Sequence, residues 1–129
     1  MFSHIMVGSN DIERSKGFYT ATLATLGASE PMVDVKDGKT RLFYMANGGI
    51  FSVSEPIDDA PATAANGGTV GFACATPEQV KEFHDVAVAN GGISIEDPPG
   101  ERTTNMGSMH LSYVRDPDGN KLCAMYRPG

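Results

Sequence analysis

The chain contains an internal repeat, and this repeat constrains its fold more than any other feature. Residues 4–27, HIMVGSNDIERSKGFYTATLATLG, align with residues 69–92, TVGFACATPEQVKEFHDVAVANGG, so that Phe18 falls on Phe83. In both copies an alternating apolar segment precedes a helical pattern that ends in glycine. A pattern repeated in this way indicates a repeated supersecondary unit. The sequence therefore predicts two copies of one module.

Each module is predicted to begin with a strand. Ile5 and Val7 in the first copy, and Val70 and Phe72 in the second, are apolar residues two positions apart. Alternate residues of a strand point to the same side, so each pair is expected to share one buried face. The opposite face of each strand is left to smaller or more polar residues.

A helix and three extended segments are predicted to follow each first strand. Asn10 or Asp11 caps the first helix, and Thr76 caps the second. Glycines at 27 and at 91–92 end the helices. The segments TRLFYMANGGIFSVSEP and HLSYVRDPDGNKLCAMY each predict a hairpin around a glycine-containing turn. Each module is thus β-α-β-β-β.

The predicted fold is α+β, with one domain over residues 1–129, a length that allows one core. The first module covers about 1–54 and the second about 68–129. A Pro-, Asp- and Ala-rich connection, about 55–67, separates them.

Charge and cysteine content exclude several classes of function. The net charge is −6, and an acidic surface repels nucleic acid and anionic lipid, so neither is an expected partner. No apolar segment reaches the roughly 18 residues that span a bilayer, and no secretory signal pattern is present. Two cysteines, Cys74 and Cys123, make no disulfide framework. We therefore expect a cytoplasmic protein with reduced thiols.

The two modules, the histidine in HIMVGSNDIERSKGFY and the turn in YVRDPDGNKLCAMY together resemble the glyoxalase/bleomycin-resistance/extradiol-dioxygenase superfamily, also called the vicinal oxygen chelate fold. The resemblance covers almost the whole chain. It implies that the modules form a curved mixed sheet with a concave cavity, which holds a divalent metal and a small-molecule ligand or substrate. It also implies a homodimer.

The resemblance places the family's metal ligands at four positions of this chain: His4, near Ser52, Thr69 and Cys123. Close glyoxalase-like relatives would have a histidine at Thr69 and a carboxylate at Cys123. A catalytic metal normally takes about three His, Cys or carboxylate ligands, and neutral hydroxyls are poor donors. We therefore expect no resident cofactor, although His4 and Cys123 remain the ligands if a divalent metal (Zn, Ni, Fe or Mn) is bound.

Strand alternation places those four positions on the face away from the helices, which is predicted to line a ligand-binding cavity. Arg41 and Arg102 are placed to meet an anionic substrate, or are solvated at the surface. His110, beside a predicted loop at 97–109, contacts a ligand or ends a strand in solvent. The complete predicted lining is His4, Met6, Ser52, Thr69, Gly71, Cys123, Met125, Arg41, Arg102 and His110.

Catalytic roles are open at two of these residues. Cys123 is either a nucleophile or redox thiol activated by the His4 imidazole, or an inert residue that fills the space of a lost carboxylate. His4 is either a metal ligand or a hydrogen-bonding residue of the cavity.

Two functions follow. The first is a glyoxalase/bleomycin-resistance-like protein that binds a small molecule in the sheet cavity and has a degenerate metal site. The alternative is a divalent-metal-dependent enzyme, either a lyase of the lactoylglutathione-lyase kind or a dioxygenase, in which the metal polarises vicinal oxygens of the substrate. The residue types at the four family positions favour the first function.

Overall fold

The computed structural model describes residues 1–128 and contains both predicted modules. The first consists of β1 (Ile5–Gly8), α1 (Ile12–Ala24), β2 (Met32–Lys36), β3 (Lys39–Ala46) and β4 (Gly49–Ser54). Its strands lie in the order β1-β4-β3-β2, with β1 parallel to β4 and the other pairs antiparallel. The β-α-β-β-β prediction is confirmed for this module.

The second module has the same plan with one strand more. It consists of β5 (Val70–Ala73), α2 (Pro77–Ala89), β6 (Ile93–Ser94), β7 (Gly100–Thr104), β8 (Gly107–Arg115) and β9 (Lys121–Tyr126). The strand order is β5-β9-β8-β6, and β7 also pairs with β8. β5 is parallel to β9, as β1 is to β4.

The prediction of a loop over residues 97–109 is wrong, because this segment contains β7 and the start of β8. Pro98 and Pro99 have no backbone N–H, and Glu96 has a positive φ of 60°. These residues interrupt the strand that pairs with β8 and divide it into β6 and β7. The Thr-rich segment beyond them resumes the pairing.

Both helices begin at predicted caps. The Asp11 side chain accepts from the backbone N–H of Arg14 at 3.1 Å, and the Thr76 hydroxyl accepts from that of Gln79 at 3.1 Å. Gly27 and Gly91 have φ of 90° and 104° where the chain leaves each helix, a conformation that glycine adopts without strain. The caps fix where each helix starts above its sheet.

One apolar core joins the modules through the helix-bearing faces of the two sheets. A line of aromatic rings crosses the boundary, with centroids 4.9 Å apart for Tyr19 and Phe51, 5.2 Å for Phe51 and Phe72, and 5.3 Å for Phe72 and Phe83. The described strands form two sheets, one in each module, so side chains rather than backbone pairing connect them. Each sheet therefore keeps one face free of helices.

None of the helices within residues 1–128 has the length and apolar character that crossing a membrane requires.

Candidate functional site

The candidate site is built on the two sheet faces that carry no helix, called here the open faces. The register of the first sheet aligns Met6, Ser52, Phe43 and Met32 in one row across four strands. In the second sheet Gly71, Cys123 and Tyr113 form the corresponding row. Alternation within each strand puts the core residues on the other side.

The open face of the first module contains one buried polar group without a partner. Ser52 is fully buried, and among residues 1–128 its hydroxyl makes no hydrogen bond. An unpaired buried hydroxyl costs free energy. His4 lies just before β1 and is exposed, with its Nδ1 2.8 Å from the Ser3 hydroxyl.

The open face of the second module carries an apolar cluster that is separate from the main core. Met109, Leu111 and Cys123 are buried in it, and Tyr113 and Met125 pack against them. Strand pairing connects the cluster, because Cys123 lies opposite Tyr113 and Leu111 lies opposite Met125. The sequence analysis missed Leu111 and Tyr113, although alternation along β8 puts both on the face of Met109.

Cys123 is a buried, protonated thiol. Burial raises the pKa of the Cys123 thiol, and the nearby Tyr113 hydroxyl lowers it only in part. The pKa of Cys74 is likewise raised, to about 11, mainly by burial. Both cysteines are free. A raised pKa opposes nucleophilic activation, since the thiolate is the reactive form.

Two of the four family metal positions are hydroxyl residues, Ser52 and Thr69. His4 precedes the first sheet and Thr69 the second, and both residues are exposed, whereas Ser52 and Cys123 are buried within the two sheets. Within residues 1–128, no three His, Cys, Asp or Glu side chains are grouped so that they could hold a metal ion. Hydroxyls are weak donors to Zn, Ni or Fe. The donors at these positions therefore do not fit the family's metal.

The predicted basic residues are held by contacts of their own. Arg41 forms an ion pair with Asp34 and lies over the Phe43 ring, 5.6 Å from its centroid. Arg102 donates to the carbonyls of Gly100, Asp97 and Pro98, each at 3.0 Å. Arg102 is thus fixed in place by neutral oxygens, whereas the charge of Arg41 is already balanced.

His110 lies on the face opposite Cys123. It is paired with Tyr126 across the sheet, with ring centroids 6.1 Å apart, and its Nε2 is 3.8 Å from a Glu101 oxygen. Alternation along β8 places it with Ser112, whose hydroxyl donates to the Val80 carbonyl of α2. The structure therefore does not group His110 with the other predicted lining residues.

Two openings lie beside β5. A cleft of about 240 Å³ between the modules is lined mainly by apolar residues, among them Ile5, Leu26, Phe51 and Phe72. A shallower opening of about 380 Å³ is lined by Gly71, Phe72, Ala73, Cys74, Met125 and Arg127. Gly71 borders both, and an added Cβ there would meet no atom within 4 Å. The second opening borders the open face of the second module at Gly71, Ala73, Met125 and Arg127, and the rest of its lining, Phe72 and Cys74, packs against the main core.

Comparison with known proteins agrees with this architecture. A family model described as "Glyoxalase/Bleomycin resistance protein/Dioxygenase superfamily" matches residues 1–124. A glyoxalase/bleomycin resistance protein from Albidiferax ferrireducens T118 has 49% identity and a TM-score of 0.92, over 98% of this chain and 99% of that one. No curated protein matches the sequence.

More distant solved structures share the fold. A glyoxalase-related enzyme from Fulvimarina pelagi has 19% identity and a TM-score of 0.71, over 99% of this chain and 88% of that one. A genomically encoded fosfomycin resistance protein from Listeria monocytogenes has 16% identity and a TM-score of 0.68, over 100% and 92% of the two chains. Since the family model covers nearly the whole sequence, the chain belongs to the glyoxalase/bleomycin resistance protein/dioxygenase superfamily.

Proposed function

We propose that this protein binds a small organic molecule on the open face of its second module, without a resident metal. One observation carries this proposal: Met109, Leu111 and Cys123 form an apolar cluster on a sheet face that no helix covers. Binding sites for small molecules are concave and mostly apolar, with a few polar groups. The opening beside Met125 gives a ligand access to the edge of this cluster.

The donor chemistry supports binding without metal. Of the four family positions only His4 and Cys123 are strong donors. A metal-dependent lyase or dioxygenase would need at least one more donor. The resistance proteins among the structural relatives are named for organic antibiotics, which is compatible with a ligand-binding role for this fold.

We also propose that the protein is a homodimer, in which a second copy covers the open face of the first module. Four large apolar residues of that face are exposed to solvent: Met6 (40%), Met32 (56%), Met45 (55%) and Ile50 (38%). Contiguous exposed apolar residues indicate an interaction surface. Methionine is a frequent residue at adaptable contact surfaces.

A neutral dye tests the ligand site. Phenylnaphthylamine fluoresces strongly only in apolar surroundings, and we expect the wild-type protein to bind it. Gly71→Val fills open space opposite Cys123 in a strand that tolerates valine, and Met125→Ala removes part of the apolar face. Each variant should weaken binding by about fivefold or more, because packing area is lost or blocked.

The matched control is Gly17→Ala, since Gly17 lies on the solvent-exposed side of α1 and an added Cβ there also meets no atom within 4 Å. This variant should bind the dye as the wild type does. Failure of the wild type to bind, or equal binding by all three variants, would contradict the proposed site. Thermal melting of each variant checks that the fold is retained.

A further inference from the structure

The arginines of this protein divide into two groups by module. Arg14 and Arg41 belong to the first module and form ion pairs with Asp118 and Asp34. The three arginines of the second module have no carboxylate oxygen within 4.0 Å among residues 1–128: Arg102, Arg115 and Arg127. In a chain with net charge −6, three arginines without carboxylate partners in one module call for an explanation.

The three arginines of the second module lie on the open face of that module. Arg102 is the cross-strand partner of Met109, and Arg115 follows Leu111 and Tyr113 at two-residue spacing along β8. Arg127 directly follows β9, and its guanidinium is 3.8 Å from the sulfur of Met125. All three therefore border the apolar cluster of the proposed site.

Arg102 and Arg127 lie on either side of Met109 in the strand register. His110 pairs with Tyr126, so the next position along this register places Arg127 beside Met109, with Arg102 on the opposite side. Neighbouring strands are about 4.8 Å apart, so the two backbones are separated by roughly 10 Å. The Arg102 guanidinium reaches back to the carbonyls of Asp97, Pro98 and Gly100 around the start of β7, and the Arg127 guanidinium lies beside the Met125 sulfur.

Among residues 1–128, no carboxylate forms an ion pair with Arg102 or Arg127. Lys121 forms an ion pair with Glu96 at the far end of the face, where it lies opposite Arg115. Glu101 is paired with His110 on the other side of the sheet. Arg102 is held by three neutral carbonyls, and the one contact of the Arg127 guanidinium within residues 1–128 is the Met125 thioether. Two positive charges about 10 Å apart in water repel each other only weakly, and an anion bound between them is attracted by both.

We propose that the ligand of this protein is an organic anion with an apolar body. This inference rests on the proposed function and specifies its substrate class. The acid group, a carboxylate, sulfonate or phosphate, binds between Arg102 and Arg127, because guanidinium groups donate paired hydrogen bonds to oxyanions. The apolar body packs along Leu111, Tyr113 and Met125 towards Gly71.

Two dyes with the same ring system test this inference. Anilinonaphthalenesulfonate carries a sulfonate, and phenylnaphthylamine is the same molecule without it. By fluorescence titration, wild-type protein should bind the sulfonate about tenfold more tightly than the neutral dye, an advantage that decreases as salt screens the charges. Arg102→Gln and Arg127→Gln should each reduce that advantage at least about threefold while leaving the affinity for the neutral dye nearly unchanged.

Lys81→Gln is the control, because Lys81 is an exposed residue of α2, the helix that packs on the other face of the second sheet. It should leave the preference for the sulfonate unchanged. Arg127 is exposed and follows the last strand, so its variant tests the inference even if Arg102→Gln loosens the segment at 97–100.

The outcomes separate the two proposals. Equal affinity of the wild type for both dyes, or a preference that persists in both arginine variants, overturns the anion inference. If the neutral dye still binds and Gly71→Val weakens that binding, the proposed site is supported even though the anion inference fails. If neither dye binds, both proposals fail.

Discussion

The Tyr19 hydroxyl donates a 2.5 Å hydrogen bond to Oδ2 of Asp116, which connects α1 of the first module to the turn between β8 and β9 of the second. Both residues are buried. The other donors to this carboxylate come from the turn itself, namely the backbone N–H groups of Asp118 and Asn120 and the Asn120 side chain. Tyr19 is thus the donor from the first module to this carboxylate, whereas the other donors belong to the turn that contains Asp116.

We expect Tyr19→Phe to destabilise the protein by about 1.5–3 kcal/mol, because it removes a hydrogen bond to a buried charged group. Urea unfolding measures the loss. Tyr44→Phe is the control, since the Tyr44 hydroxyl pairs with the neutral Thr20 hydroxyl at 2.9 Å and should contribute about 1 kcal/mol. Equal losses of unfolding free energy in the two variants would show that the hydrogen bond to Asp116 contributes no more than one between neutral groups.

The same tyrosine should make stability depend on alkaline pH. Burial and the neighbouring Asp116 carboxylate raise the pKa of Tyr19 well above 10.0. In the unfolded chain this phenol ionises near pH 10, so above that pH the unfolded state binds fewer protons and stability falls. The contribution is fully present below pH 10 and is lost as the pH rises towards the folded pKa.

Urea unfolding between about pH 9 and 11 measures this effect. Other buried groups, such as Cys74 with a pKa of about 11, add to the decline in the wild type and the variant alike. Tyr19→Phe should therefore lose less stability per pH unit than the wild type. Parallel pH profiles would contradict the assignment.

The repeat predicted much of the fold because each module follows from local patterns. The signals that specify a module are local, since each determines the structure of only a few neighbouring residues. They are the alternation at Ile5 and Val7, the caps Asp11 and Thr76, and the glycines after each helix. The division into β6 and β7 was not predictable in this way. It depends on pairing with the distant strand β8, which resumes after two prolines.

The site was less predictable because it depends on which faces the packed modules leave open. The sequence analysis placed Met6, Ser52, Gly71, Cys123 and Met125 in a cavity lining, and the strand register puts these residues on the faces without helices. It could not tell that Asp34 already neutralises Arg41, because that ion pair joins two strands. Nor did it identify Arg127, whose relation to Arg102 depends on the register of three strands.

Both thiols should react slowly with iodoacetamide at neutral pH. Burial raises the pKa of Cys74 to about 11 and raises that of Cys123, so little thiolate is present. Peptide mass spectrometry should show alkylation at least about tenfold slower than in unfolded protein. His4→Ala should leave the Cys123 rate unchanged. Rapid alkylation of Cys123 that depends on His4 would instead support an activated thiol.

We expect protein purified without an affinity tag and dialysed against a mild chelator to contain far less than one metal ion per chain. At most two strong donors occupy the family positions, and they do not lie in a group of three within residues 1–128. Elemental analysis, followed by titration with Zn²⁺ and Ni²⁺, measures this. The same weak binding is expected for His4→Ala. Near-stoichiometric metal that is lost in this variant would favour the metal-dependent enzyme.

The open face of the first module should hold two copies of the chain together. Sedimentation at micromolar concentration should give about twice the 13.7 kDa mass of one chain. Met45→Glu places a charge among the exposed apolar residues of that face and should shift the protein towards monomer, since burying an unpaired carboxylate is costly. Met106→Glu is the matched control, because Met106 is 76% exposed in the β7–β8 turn. A 13.7 kDa species alone in the wild type would exclude the dimer.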